Sequence, residues 1–130
     1  MYLLDTNACI DFLDARNQHV ADRIDAAFGH LTVSAITVAE LRVGSKTSTD
    51  PVGDARRIDA FVAGVKVTAF DEASATTYGN VIRKIGVKRK SFDRLIGIQA
   101  LTLGLTLVTS NEKDFADVPG LKIENWTVAA

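Results

Sequence analysis

The chain has 130 residues, 47% of them hydrophobic and 24% charged, with a formal net charge of −1, which is the size and make-up of one ordinary globular domain. Its single cysteine, Cys9, excludes an internal disulfide framework, and His19 and His30 stand far apart without partners, so no zinc-site spacing is present. The apolar stretch from Leu101 to Val108 is too short to span a bilayer, and Asp5 interrupts the N-terminal apolar run too early for a secretory leader.

These features predict a soluble, cytoplasmic protein. No repeat, low-complexity segment or Pro/Gly/Ser-rich linker divides it, so residues 1–130 are expected to form one domain.

Tyr2 to Leu4 reads as a buried strand that ends on Asp5-Thr6-Asn7, a carboxylate, a hydroxyl and an amide. A short helix over Ala8 to Leu13 follows, then one from Gln18 to Phe28 on the spacing of Val20, Ile24, Ala27 and Phe28, stopped by Gly29. Leu31 to Ser34 is a second strand. Thr37-Val38-Ala39-Glu40 carries the hydroxyl and carboxylate of a capping box and opens a helix running to about Gly44. Lys46 to Asp54, polar and holding Pro51, reads as a loop; beyond it Ile58, Phe61, Val62 and Val65 share a helical face.

A third strand is expected over Lys66 to Phe70. Asp71 then caps a helix whose Ala75, Tyr78, Ile82 and Ile85 face inward as far as Gly86. Ser91 can cap a helix from Phe92 to Leu103 that is apolar on nearly all sides and so belongs at the centre of the fold. Gly104 ends it, Leu105 to Val108 forms a fourth strand, Thr109 to Asp117 a loop or short helix, and Leu121 to Trp126 a last strand.

Alternating strands and helices imply an α/β fold with a mostly parallel sheet, because parallel neighbours need a crossover between them. Sites in such sheets lie outside the carboxyl ends of the strands. The residues that fall there include acids: Asp5 after the first strand, Glu40 in the helix after the second, Asp114 after the fourth, with Asp93 at the start of the central helix. Each also has a structural explanation, as an N-cap, the end of a capping box, a helix-dipole partner or a surface acid. Convergent carboxylates repel, so a cluster persists when protons or cations neutralise it. Oxygen donors suit Mg²⁺ or Mn²⁺, and a divalent ion among them supports phosphodiester hydrolysis. Thr6, Asn7, Thr109, Ser110 and Asn111 can orient water or carboxylates there, or serve as plain turn and cap residues.

Arg83, Lys84, Lys88, Arg89, Lys90 and Arg94 concentrate positive charge in a stretch whose one acid is Asp93. Such a run is either a solvated loop or a phosphate-attracting patch.

In order and spacing, LLDTNACIDFL, VSAITVAELRVGS around Glu40, KSFDRLIGIQALTLGLTLVTSNEKDF through Asp93 and Asp114, and VPGLKIENW together resemble a PIN domain of the VapC-type toxin ribonucleases of bacterial toxin-antitoxin pairs. The resemblance spans the chain. It implies a three-layer fold with helices on both faces of the sheet, and a magnesium-dependent endoribonuclease, with Mn²⁺ as a substitute. Asp5, Glu40 and Asp93 match the family's three metal-binding acids, Asp114 the more variable fourth, and Thr109 and Asn111 the polar residues of the loop before it. Metal-activated water would attack an RNA phosphodiester, leaving a 5′-phosphate and a 3′-hydroxyl.

The same resemblance makes Lys88, Arg89, Lys90 and Arg94 candidates for RNA contact. It also implies a homodimer and a cognate VapB-like antitoxin whose C-terminal segment covers the acidic groove, for which Ile10, Phe12 and Leu13 are either interface or core. The chain departs from the family pattern at Phe92, Gly97, Ile98, Gln99 and Ser110. Two other functions stand beside this one: phosphoryl transfer through a nucleophilic Asp5, and a non-catalytic PIN-like RNA-binding module.

Overall fold

The computed structural model describes residues 1–44, 47–86 and 92–128. Five short strands, β1 (Tyr2–Leu4), β2 (Leu31–Ser34), β3 (Lys66–Thr68), β4 (Thr106–Val108) and β5 (Ile123–Glu124), form one sheet in the order β3-β2-β1-β4-β5, with every pairing parallel. The helices are α1 (Thr6–Leu13), α2 (Gln18–Ala27), α3 (Ala35–Val43), α4 (Pro51–Gly64), α5 (Glu72–Ile85) and α6 (Phe92–Leu103). A 3₁₀ turn spans Glu112–Phe115.

The alternation of side chains along a strand builds the three layers. Leu3 and Leu107 face one side, where they meet Ile96 and Ala100 of α6 and Phe115. Leu4 and Val108, one residue further along, face the other and join Cys9, Ile24, Leu41, Phe61 and Trp126. Both faces of the sheet are covered, as an all-parallel sheet requires. Helix α6 lies between the sheet and α5, with Ile96, Ile98, Gln99 and Ala100 at 0% exposure, which bears out its predicted central place.

Several predicted boundaries move for local reasons. Helix α1 begins at Thr6, not Ala8, because the Asp5 carboxylate caps it by accepting from the Ala8 amide at 2.8 Å. Ser34 caps α3 by accepting from the Ile36 amide, so Thr37 lies inside the helix and forms no capping box with Glu40. Pro51, expected in a loop, is the first residue of α4, where its missing N–H costs nothing, with Asp50 as the cap. On α5 the buried positions are Ser74 and Ile82, while Ala75 is exposed, so the inward face is turned by one residue at its start. The third and fifth strands are shorter than expected; after Glu124 the chain turns to pack Trp126 edge-on against Tyr2, at 4.9 Å between ring centroids. The predicted Ser91 cap lies outside the described residues.

The strand order reverses beside β1. The chain runs outward through β2 and β3 on one side, then returns to place β4 and β5 on the other. That reversal opens a crevice at the carboxyl ends of β1 and β4, where the diverging connections leave room for a ligand. Asp5 sits at its floor, its amide donating to the Val108 carbonyl at 3.0 Å.

Candidate active site

Asp5 is 3% exposed. Burial pushes its carboxyl up from 3.8 to about 6, hydrogen bonds from the Thr109 hydroxyl and the Ala8 amide pull the other way, and the neighbouring charges of Asp93 and Asp11 add to the rise. Thr109 is itself buried and accepts from the Asn111 amide at 3.0 Å, so its own hydroxyl proton is left for Asp5. The same carboxylate that caps α1 is therefore a strained charge beside a second carboxylate. Burial also pushes the Cys9 thiol upward, which leaves it an inert core group.

Glu40 arrives from α3. Thr6 Oγ1 donates to Glu40 Oε1 at 2.7 Å and lies 3.0 Å from Thr37 Oγ1. A hydroxyl has one proton, so Thr37 is the donor to Thr6 and Thr6 the donor to Glu40. This short relay joins α1 to α3 and holds the Glu40 carboxylate toward the Asp5 end of the sheet.

Asp93 occupies the first turn of α6, where the helix dipole favours an anion. Asp114 lies in the 3₁₀ turn and accepts from Asn111 Nδ2 at 2.5 Å. A continuous chain thus runs from Asp5 through Thr109 and Asn111 to Asp114. Asn7 and Ser110 are exposed.

The donor chemistry fits a hard divalent cation. Every candidate ligand is oxygen, and a cation would relieve the burial and repulsion that raise Asp5. Among the described residues no three acidic, histidine or cysteine side chains converge closely enough to form a finished cage. Asp93 is instead near enough to Asp5 to be felt as charge, while Glu40 is held by Thr6, the residue after Asp5, and Asp114 by Asn111.

Arg94 departs from its predicted role in an exposed cationic patch. It is 7% exposed: Nη2 donates to Asp117 Oδ2 at 3.2 Å and Nη1 stands 3.2 Å from Oδ1. Position 94 falls on the buried side of α6, so its charge is spent inside the protein. Lys88, Arg89 and Lys90 lie outside the described residues.

Phe12 packs with Phe61 in the core, at 5.7 Å between centroids. Ile10 and Leu13 are half-buried and line a cleft with Leu41, Ile58, Arg57 and Glu40. Three contributors escaped the sequence reading: Thr37, Asp11 and Asp117. Thr37 was visible only as a cap, Asp11 only as a helix residue, and nothing in the chain pairs Asp117 with Arg94 across their separation. No described helix is long and apolar enough to cross a membrane.

Comparison with known proteins agrees with this fold. The PIN domain family model matches residues 2–121. A tRNA(fMet)-specific endonuclease VapC of Shigella flexneri is 31% identical, with 97% of this chain and 98% of that protein covered. A Ribonuclease VapC1 of Haemophilus influenzae (strain R2866) is also 31% identical, over 98% of each. Among solved structures, DNA-bound VapBC from Salmonella typhimurium superimposes with a TM-score of 0.85 at 28% identity, covering 96% of this chain and 97% of that one. With the family model spanning most of its length and a relative 31% identical over nearly the whole of both chains, this chain belongs to the PIN-domain family, among the VapC-type toxins.

Proposed function

We propose that this protein is a metal-dependent endoribonuclease that hydrolyses RNA phosphodiester bonds as the toxin of a toxin-antitoxin pair. The observation that carries the reading is Asp5, a buried carboxylate pushed up to about 6 beside Asp93 at the switch point of a parallel sheet. Asp5 and Asp93, with Glu40 and Asp114 at their flanks, would hold Mg²⁺ or Mn²⁺. Such an ion, when bound, lowers the pKa of water and stabilises charge on the phosphodiester oxygens. The chain's own residues do the rest. Thr109 and the Ala8 amide orient Asp5, the Thr37–Thr6 relay orients Glu40, and Asn111 orients Asp114.

Relatives named as tRNA(fMet)-specific endonucleases make that tRNA the first substrate to test. The run Lys88-Arg89-Lys90, just ahead of Asp93 in sequence, supplies positive charge for a polyanion. Relatives solved as VapBC complexes support a VapB-like antitoxin as partner. The cleft between α1, α3 and α4 is a fitting seat, since it reaches Glu40 itself. A cytoplasmic homodimer completes the reading.

The test is incubation of purified protein with RNA under Mg²⁺, Mn²⁺ or EDTA, beside Asp5→Asn. Cleavage that needs metal and is lost in the variant is the expected result. Metal-independent cleavage, or equal cleavage by the variant, overturns the reading; a stable aspartyl-phosphate on Asp5 would favour phosphoryl transfer instead, and RNA binding without cleavage a non-catalytic module.

A further inference from the structure

The ion pair between Arg94 and Asp117 has a place in the fold that a stabilising contact alone would not need. Arg94 directly follows Asp93 on α6, and Asp117 lies three residues after Asp114, just past the 3₁₀ turn. The two pairs of neighbours are therefore the ends of one bridge. One turn further along α6, Gly97 lies against Phe115: a Cβ on it would stand 2.3 Å from the Phe115 ring. Two contacts of different chemistry thus fasten the Asp114 segment to the first two turns of α6.

The other side of that segment is also tied. Asp114 is bonded to Asn111, Asn111 to Thr109, and Thr109 to Asp5. Asp93 in turn lies near enough to Asp5 to be felt as charge. Three of the four acids therefore lie along one series of links, Asp5–Thr109–Asn111–Asp114 and on through Asp117–Arg94 to Asp93, with Glu40 held separately by Thr6. The ion pair is the polar link of that series between the Asp114 segment and α6, beside the apolar contact of Gly97 with Phe115.

We propose that Arg94 and Asp117 are positioning residues: a buried strut that sets Asp114 against Asp93 and thereby fixes the affinity of the acid cluster for its cation. Guanidinium suits this task because its planar fork meets a carboxylate at two points and so fixes orientation as well as distance, which a lysine cannot do. The proposal rests on the reading of the acids as a cation site.

Removing one partner strands a buried charge and risks unfolding, so the test uses the pair. Replacing a buried ion pair by apolar side chains of similar volume is commonly tolerated. Arg94→Met combined with Asp117→Leu should therefore fold, as circular dichroism and thermal melting will show. Its Mn²⁺ affinity, measured by titration calorimetry without RNA, should fall about 10-fold, as for loss of residues that orient metal ligands elsewhere. Arg94→Lys, which keeps the charge, should lose part of that affinity. In an Asp114→Asn background the Met/Leu pair should produce no further loss, because the strut acts through Asp114; a merely structural role would add its effect in full. Undiminished affinity in the folded double variant, or additive losses, overturns the strut alone. A wild-type protein that binds no Mn²⁺ overturns the metal-nuclease reading and the strut's role together.

Discussion

Thr6 donates its hydroxyl proton to Glu40 across the gap between α1 and α3, at 2.7 Å, and receives one from Thr37. Thr6→Val keeps the shape and removes the relay, leaving Glu40 without its orienting donor and the buried Thr37 hydroxyl unpaired. The Mg²⁺ concentration needed for half-maximal RNA cleavage should rise by roughly 10- to 100-fold. Thr6→Ser retains the hydroxyl and should restore most of it. An unchanged Mg²⁺ requirement in Thr6→Val would show that Glu40 needs no such support.

Asp5 makes stability depend on pH in a defined direction. Its folded carboxyl is raised to about 6 from 3.8, so between those values the folded chain holds more protons than the unfolded one. The contribution of Asp5 to stability is accordingly most favourable below that window, falls as pH rises through it, and stays low above it, by on the order of 3 kcal/mol in the absence of metal. Asp5→Asn carries no charge and can still accept from the Ala8 amide as an N-cap. It should melt several degrees above wild type at pH 7.5 and together with it at pH 4, while losing cleavage activity. Added Mg²⁺ should raise the melting temperature of wild type only. A variant that melts at or below wild type at pH 7.5 contradicts this account.

Gly97 separates two opposing effects on one helix. Alanine is favoured over glycine inside a helix by about 1 kcal/mol. Here, however, the new Cβ would meet Phe115 at 2.3 Å, and overpacking of a filled core costs roughly 1–3 kcal/mol. The clash should win. Gly97→Ala is expected to lower the denaturation midpoint, and Phe115→Leu in that background to recover part of it, because the leucine is smaller at the point of contact.

Lys88, Arg89 and Lys90 provide a test of how RNA is held. If each contacts one phosphate, the triple alanine variant should reduce the salt dependence of RNA binding by a slope of about 2, from roughly 0.7 per contact on a single strand. Filter binding of an uncleavable RNA across a range of salt measures it. An identical slope would assign RNA contact to other residues. Arg94 is not part of this set, since Asp117 already engages it.

Much of the architecture was legible along the chain because its signals are local. Asp71 stands as a cap where expected, α6 is buried around most of its circumference, and the strand-helix alternation gives a parallel sheet. The misreadings were also local: Pro51 opens a helix instead of sitting in a loop, and Ser34 rather than Thr37 caps α3. At α3 two nearby hydroxyls had suitable chemistry and Ser34, the last residue of β2, takes the cap; at α4 Asp50 caps the helix that Pro51 opens.

By itself the sequence determined which oxygen donors are the candidates, Asp5, Glu40, Asp93 and Asp114, and it placed Asp5 by the short strand that ends there. Only the tertiary structure decided how those donors are held. Thr6 reaches Glu40, Thr109 reaches Asp5, and Arg94 turns inward to Asp117 because parallel strands bring distant segments to one edge of the sheet. Those contacts join positions with no periodic relation in the chain. Hydrogen bonds and ion pairs of that kind depend on distances that packing alone sets.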